Sequence, residues 1–244
     1  MLKMDEKLYQ TYREIEGTHW WFVGRRQLIF NLLESLDKDI RILDLGCNTG
    51  FLVNLLQQKG YEVYGCDSSE AAIAFGRQQG IRNLQVVEGN RLPFGDKEFD
   101  MILCLDVLEH LADDRQGLQE IKRVLKPGGL AIITVPAFNF LWGLQDKVSR
   151  HFRRYRASQI KKLAIQSGFN VKKLSYFNFF LFAPIALMRL AQKFYRSQRS
   201  SDFELNNRLT NAVLKRFFLL EIKILKYLNL PFGVSLIAVL EYEK

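Results

Sequence analysis

The sequence predicts an α/β protein: a doubly wound, seven-stranded, mostly parallel sheet with an antiparallel last strand. Three observations lead there. Short apolar runs of strand length alternate with amphipathic helical stretches, beginning with Ile42, Leu43 and Leu45. The first run breaks into Gly46-Cys47-Asn48-Thr49-Gly50 and restarts as a helix, a geometry that turns backbone N–H groups and a helix N-terminus toward a ligand. The second run, residues 61–67, ends on Asp67 at the offset from Asp44 where an acid can accept both hydroxyls of a ribose.

The elements follow in order. Residues 4–36 read as helical and carry a dense aromatic patch, Tyr9, Tyr12 and His19-Trp20-Trp21-Phe22, before Arg25-Arg26. Residues 42–45 form the first strand, with Asp44 set inside the apolar run. Gly46 and Gly50 supply angles and close approach that a Cβ would obstruct. The helix after them ends at Gly60. Ser68-Ser69-Glu70 caps a second helix that Gly80 stops. Residues 84–90 form a third strand, ending at Asn90 before Arg91-Leu92-Pro93-Phe94. Residues 99–106 form a fourth, leading into Val107-Leu108-Glu109-His110-Leu111. A helix over 111–125 follows, then a turn, Lys126-Pro127-Gly128-Gly129, and a fifth strand over 130–135. Residues 145–156 are a polar loop rich in His, Arg and Tyr at the carboxyl edge of the sheet, suited to a polar anionic substrate. A helix over 158–167 and a strand over 169–176 come next. Two apolar helices studded with Lys and Arg, 179–196 and 206–228, separate that strand from the last one, 233–242.

Taken together, the glycine loop, Asp67, the Asn90-x-Leu-Pro-Phe turn, the Asp106-Val-Leu-Glu-His110 run and the Lys-Pro-Gly-Gly turn resemble, in order, the class I S-adenosylmethionine-dependent methyltransferases. The likeness covers roughly residues 40–136 and points to a small-molecule, lipid or saccharide branch, type 11/23-like. It implies a Rossmann-like fold, S-adenosylmethionine as cofactor and S-adenosylhomocysteine as product. It also implies a cofactor site drawn from Trp21, Arg26, Asp44, Gly46, Cys47, Asn48, Gly50, Asp67, Ser68, Asn90, Arg91, Leu92 and Leu105. Asp67 would hold the ribose, Asn90 the adenine amino group and Arg26 the methionine carboxylate. Two positions depart from the family pattern: Asn48 stands at the middle loop glycine, and Asn90 at a frequent acid. The resemblance divides the chain into a helical lid (1–36), a cofactor-binding domain (37–178 with 231–244) and a helical insertion (179–230).

Such a cofactor brings its own activated leaving group, so catalysis is mainly alignment, with a base where the acceptor is a hydroxyl. The three histidines are His19, His110 and His151. His151, in the polar loop, is the candidate base and His110 the second candidate. No Cys or His spacing suggests a metal site.

Charge is uneven. Residues 1–149 hold 17 Lys and Arg against 21 Asp and Glu; residues 150–244 hold 18 against 5. A basic carboxyl-terminal part with apolar helices suits an anionic partner, and the reading here is an amphiphilic acceptor at a membrane surface. The uncharged run that leads into these helices, 174–188, is too short to span a bilayer. A homodimer interface is the alternative cover for those helices. The insertion is expected to serve acceptor or membrane rather than cofactor. Three cysteines without framework spacing point to reduced thiols, and a polar amino terminus to no signal peptide; the expected location is cytoplasmic and peripheral to the inner membrane face. A nucleic-acid methyltransferase is the competing enzyme reading, but the Asn/Asp-Pro-Pro-aromatic signature of base methylation is absent after the fourth strand, so no nucleic acid is expected. A dehydrogenase would need a second loop glycine. A cofactor-binding protein without turnover stays open.

Overall fold

The computed structural model describes residues 6–34, 36–87, 89, 91–194 and 207–243. The chain runs α1 (Glu6–Ile15), α2 (Trp20–Leu33), β1 (Arg41–Leu45), α3 (Phe51–Gln58), β2 (Glu62–Asp67), α4 (Glu70–Gln78), β3 (Leu84–Val86) and β4 (Phe99–Leu105). It continues through α5 (Asp114–Val124), β5 (Leu125–Pro136), α6 (Leu144–Val148), α7 (Ala157–Gln166) and β6 (Phe169–Phe177). It closes with α8 (Phe182–Phe194), α9 (Arg208–Leu225) and β7 (Ser235–Tyr242).

The sheet order is β3-β2-β1-β4-β5-β7-β6. β7 lies antiparallel between β5 and β6, and the other six strands share one direction. Alternation along the central strands feeds two cores, because successive side chains of a strand face opposite ways. Leu43, Ile102, Cys104 and Ile133 pack with α5 and α7; Ile42, Met101, Leu103 and Ile132 pack with α2, α3 and α9. All three cysteines are buried and free, and burial pushes each thiol well above its ordinary pKa. After β1 the chain winds toward β2 and β3; after β3 it crosses to β4 on the other side of β1. The loops following β1 and β4 therefore part, and a crevice opens at the carboxyl ends of the strands.

Several boundaries differ from the sequence reading. The described part of residues 4–36 is two helices that break at residues 16–19, where His19 caps α2 and its Nδ1 accepts from the Trp21 N–H at 3.2 Å. The 126–129 turn lies inside β5: Leu125 still pairs with Phe99, and the register shift between Phe99 and Met101 absorbs the extra residues as a bulge. Gly128, at φ +83, supplies the left-handed angle there. The third strand stops at Val86, and α5 starts at Asp114, capped by the Asp113 carboxylate on the Gln116 N–H at 2.9 Å. Residues 195–206 between α8 and α9 lie outside the described residues.

The insertion falls between β6 and β7, as expected. It is not, however, separate from the lid. Trp21 of α2 stacks on Phe177 and on Phe218 of α9, with ring centres 5.7 and 5.9 Å apart. A Cβ on Gly24 would sit 2.1 Å from the Phe218 ring, so glycine sets how closely the two helices approach. Asn211 accepts from the Trp20 N–H at 2.7 Å and donates to the Thr18 carbonyl at 3.0 Å. The lid helix and α9 share one apolar layer. Among the described residues, no helix is long and apolar enough to cross a membrane.

Candidate active site

The crevice holds a cavity of about 480 Å³. One wall is the glycine loop. Gly46, Asn48 and Gly50 take φ values of +75, +54 and +79, the left-handed region that glycine and asparagine tolerate best. A Cβ on Gly46 would come within 2.5 Å of Val107 Cγ2, so this glycine also permits the loops after β1 and β4 to touch. Asp67 fixes the loop from the tip of β2. Its two carboxylate oxygens accept from the Asn48 N–H at 3.0 Å and the Ser69 N–H at 2.9 Å.

Charges at this end are buried and cross-braced. Burial pushes Asp44 up to about 7, against a downward pull from Arg25. Glu16, at the end of α1, is also raised to about 7 by burial, although Thr49 Oγ1 donates to it at 2.6 Å. Arg25 pairs with Asp106, which accepts in turn from Thr134 Oγ1 at 3.1 Å. Arg26 donates to the carbonyls of Glu16 and Gly17, and its guanidinium lies 4.9 Å over the Phe51 ring.

Of the residues singled out for the cofactor, Trp21, Arg26, Asp44, Gly46, Cys47, Asn48, Asp67 and Leu105 line the cavity. Gly50, Ser68, Arg91 and Leu92 do not. Gly50 opens α3 and faces Leu84; Leu92 is buried with its N–H on Glu120 at 2.7 Å; Arg91 is exposed; Ser68 is buried behind the loop. Asn90 lies outside the described residues. Sequence reasoning passed over Glu16 and Asp146, named Arg25 only alongside Arg26, and took Asp106 only as the start of the run after β4. An acid before the aromatic patch and one five residues before His151 were the signals available.

The other end of the cavity carries His110 and His151, whose rings meet edge to face with centres 4.6 Å apart. His151 Nδ1 lies 2.9 Å from Asp146 Oδ1. Asp146 also takes both arms of the buried Arg154 guanidinium, at 2.8 and 2.9 Å, and accepts from the Gly143 N–H at 2.7 Å. Burial would raise the Asp146 pKa, but the bonds from His151 and Arg154 outweigh it and hold the group at about 2. The result is a fixed carboxylate that orients His151. Burial lowers His110 to about 4, and the neighbouring His151 adds to the effect. Beyond the histidines the wall turns apolar with Leu181, Pro184, Ile185 and Met188 around α8.

Residues 43–133 match the family model described as a methyltransferase domain. A probable S-adenosylmethionine-dependent methyltransferase of Mycolicibacterium smegmatis is 29% identical over 158 residues, covering 63% of this chain and 61% of that protein. Over residues 43–133 the chain is similar to the S-adenosylmethionine-dependent methyltransferases. A second relative, the ubiquinone biosynthesis O-methyltransferase of Rickettsia canadensis, is 22% identical over 211 residues, covering 71% of this chain and 87% of that one. The chain's fold is also that of the Haemonchus contortus phosphoethanolamine N-methyltransferase 2 solved with S-adenosyl-L-methionine, at a TM-score of 0.61 and 17% identity over 91% of this chain and 53% of that one. The match spans about three fifths of the length of the mycobacterial-type relative.

S-adenosylmethionine is the family's cofactor, and the residues present suit it. Asp44, Asp67 and Glu16 give an acidic lining for a ligand that carries a sulfonium and an ammonium. Asn48 Oδ1, in the cavity lining, is buried without a hydrogen-bond partner among the described residues, at the loop such a ligand would reach.

Proposed function

We propose that the chain moves the methyl group of S-adenosylmethionine to a hydroxyl of a small, amphiphilic acceptor. One observation carries the reading: a single cavity runs from Asp67 and the glycine loop to His110 and His151, and on to an apolar wall on α8. When bound, the cofactor supplies a methyl group already activated on a positively charged sulfur. The protein's work is then alignment, water exclusion and charge balance. Asp67 accepts the ribose hydroxyls. Asp44 and Glu16 balance the positive end once ionised, and Arg26 stands where a carboxylate would lie. His151, held by Asp146, and His110 face the acceptor oxygen, while α8 shields it from water. An O-methyltransferase among the relatives supports an oxygen acceptor.

The finer reading is a lipid-linked acceptor, saccharide-bearing or not, met at the inner face of an anionic membrane. Leu209, Val213, Phe217 and Leu220 form an exposed stripe along α9, spaced to share one helical face, with Arg208, Arg216 and Lys223 beside it. Each such cation adds about 1 kcal/mol near an anionic bilayer. Liposome sedimentation should give binding that grows with anionic lipid and falls with salt; a protein that ignores liposomes yet dimerises through this stripe removes the membrane reading. The methyl-transfer reading is tested with labelled cofactor on small-molecule, lipid and glycolipid extracts. Label should enter an amphiphilic product. Cofactor binding with no transfer into any pool would leave a cofactor-binding protein without turnover.

A further inference from the structure

We propose that Glu109, His110 and His151 hold a divalent transition-metal cation, of the zinc class, whose open position faces the acceptor. The inference rests on the reading above, in which these histidines meet the acceptor oxygen, and it names the means. Glu109 and His110 come from the turn after β4; His151 comes from the segment after α6, some forty residues on in the chain. One ligand atom from each lies within 4.8 Å of the other two.

The Glu109 carboxylate is the independent pointer to a ligand. Its residue is 0% exposed, and neither oxygen has a hydrogen-bond partner among the described residues. His151 Nε2 lies 4.0 Å away, and of the charged groups around it Asp106 opposes its ionisation while Arg154 and Arg25 favour it. An uncompensated carboxylate in a dry site costs several kcal/mol, so the fold keeps it either protonated or facing a cation. Both histidines beside it are already oriented as ligands, which suits the cation. His151 gives its Nδ1 side to Asp146 at 2.9 Å, which leaves the Nε2 lone pair aimed toward Glu109. His110 is hydrogen-bonded to the backbone of Ser149, which leaves its second ring nitrogen available. A metal-binding histidine is commonly held in this way, its other nitrogen on a carboxylate or a backbone carbonyl. Two imidazole nitrogens and one carboxylate oxygen form a three-ligand set that leaves a coordination position for a substrate oxygen.

All three residues line the cavity, so the open position faces the acceptor's place. A hydroxyl bound there is acidified: its O–H bond breaks heterolytically, the electron pair stays on oxygen and the proton leaves to water.

The test uses full-length protein stripped with chelator, then titrated with zinc chloride or cobalt chloride. One equivalent should bind, with a raised melting temperature, and cobalt should show the visible absorption of a nitrogen and oxygen site without thiolate bands. His151→Asn and Glu109→Gln should lose stoichiometric binding. Cofactor affinity, measured by calorimetry on the same samples, should hold in both variants and shows that they are folded. Less than one equivalent in the wild type, thiolate bands from the cysteines, or unchanged binding in both variants overturns the site. Should a variant not fold, wild-type stoichiometry and the cobalt spectrum decide. Loss of cofactor binding in the wild type would instead defeat the methyltransferase reading, so the two failures are told apart.

Discussion

The two ends of the cavity are built by different means. The cofactor end is backbone: a left-handed loop, a carboxylate holding that loop's amides, and two strand ends that part around β1. The acceptor end is buried charge: Asp146 bound to Arg154 and His151, beside a Glu109 with no partner among the described residues. Local turns need few partners and tolerate the loss of one hydrogen bond. A buried ion network does not, because each member neutralises another.

Asp146→Ala should break the comparison hardest. It strands the Arg154 guanidinium, 7% exposed, and frees His151. Breaking a buried pair from one side costs about 3–5 kcal/mol, readable as a lowered urea midpoint. A loss below about 1 kcal/mol would mean the network is no more than a surface ion pair. Asp67→Ala should be milder: it releases two backbone N–H groups rather than a buried guanidinium, and its main effect is on binding. Calorimetry should show cofactor affinity weakened by about 1.5–3 kcal/mol, typical of a lost charge-assisted hydrogen bond; unchanged affinity would take Asp67 out of the site.

The smallest effect is a slope with pH. Burial raises Glu16 from its ordinary 4.5 to about 7, so the folded protein binds more protons than the unfolded chain between those values. The Glu16 contribution to stability without cofactor should therefore be fully present below about 4.5 and be lost as pH rises through 7. Glu16→Gln should flatten that slope in melting curves taken from pH 5 to 8. Cofactor binding near pH 7 should release protons as Glu16 and Asp44 ionise against a cationic ligand, and calorimetry in buffers of differing ionisation heat measures that release. An unaltered slope in the Gln variant would place the titration elsewhere.

The same contrast decides what the sequence could reveal. β1, the glycine loop and Asp67 were legible because strand, turn and acid follow one another at fixed spacing. Ser69 as a helix cap was legible too, and its Oγ accepts from the Ala72 N–H at 3.2 Å. His151 could be singled out only as a histidine in a polar loop. Its partner Asp146, five residues before it, was a weak local signal; that Glu109 faces it was not legible, since tertiary packing alone brings residue 109 to residue 151. The bulge in β5 was read as a turn because Pro127, Gly128 and Gly129 look alike in either setting. The bond between the lid and the insertion was hidden for the same reason: Asn211 reaches the start of α2 across 191 positions of chain.

That bond has a thermodynamic consequence. Lifting α2 from the cavity unstacks Trp21 from Phe218 and breaks the Trp20–Asn211 hydrogen bond, and α9 also sends Leu214 into the cavity wall. Movements of α2 and of α9 are therefore coupled, and whatever binding at one does to the affinity of a ligand at the other is equal in both directions.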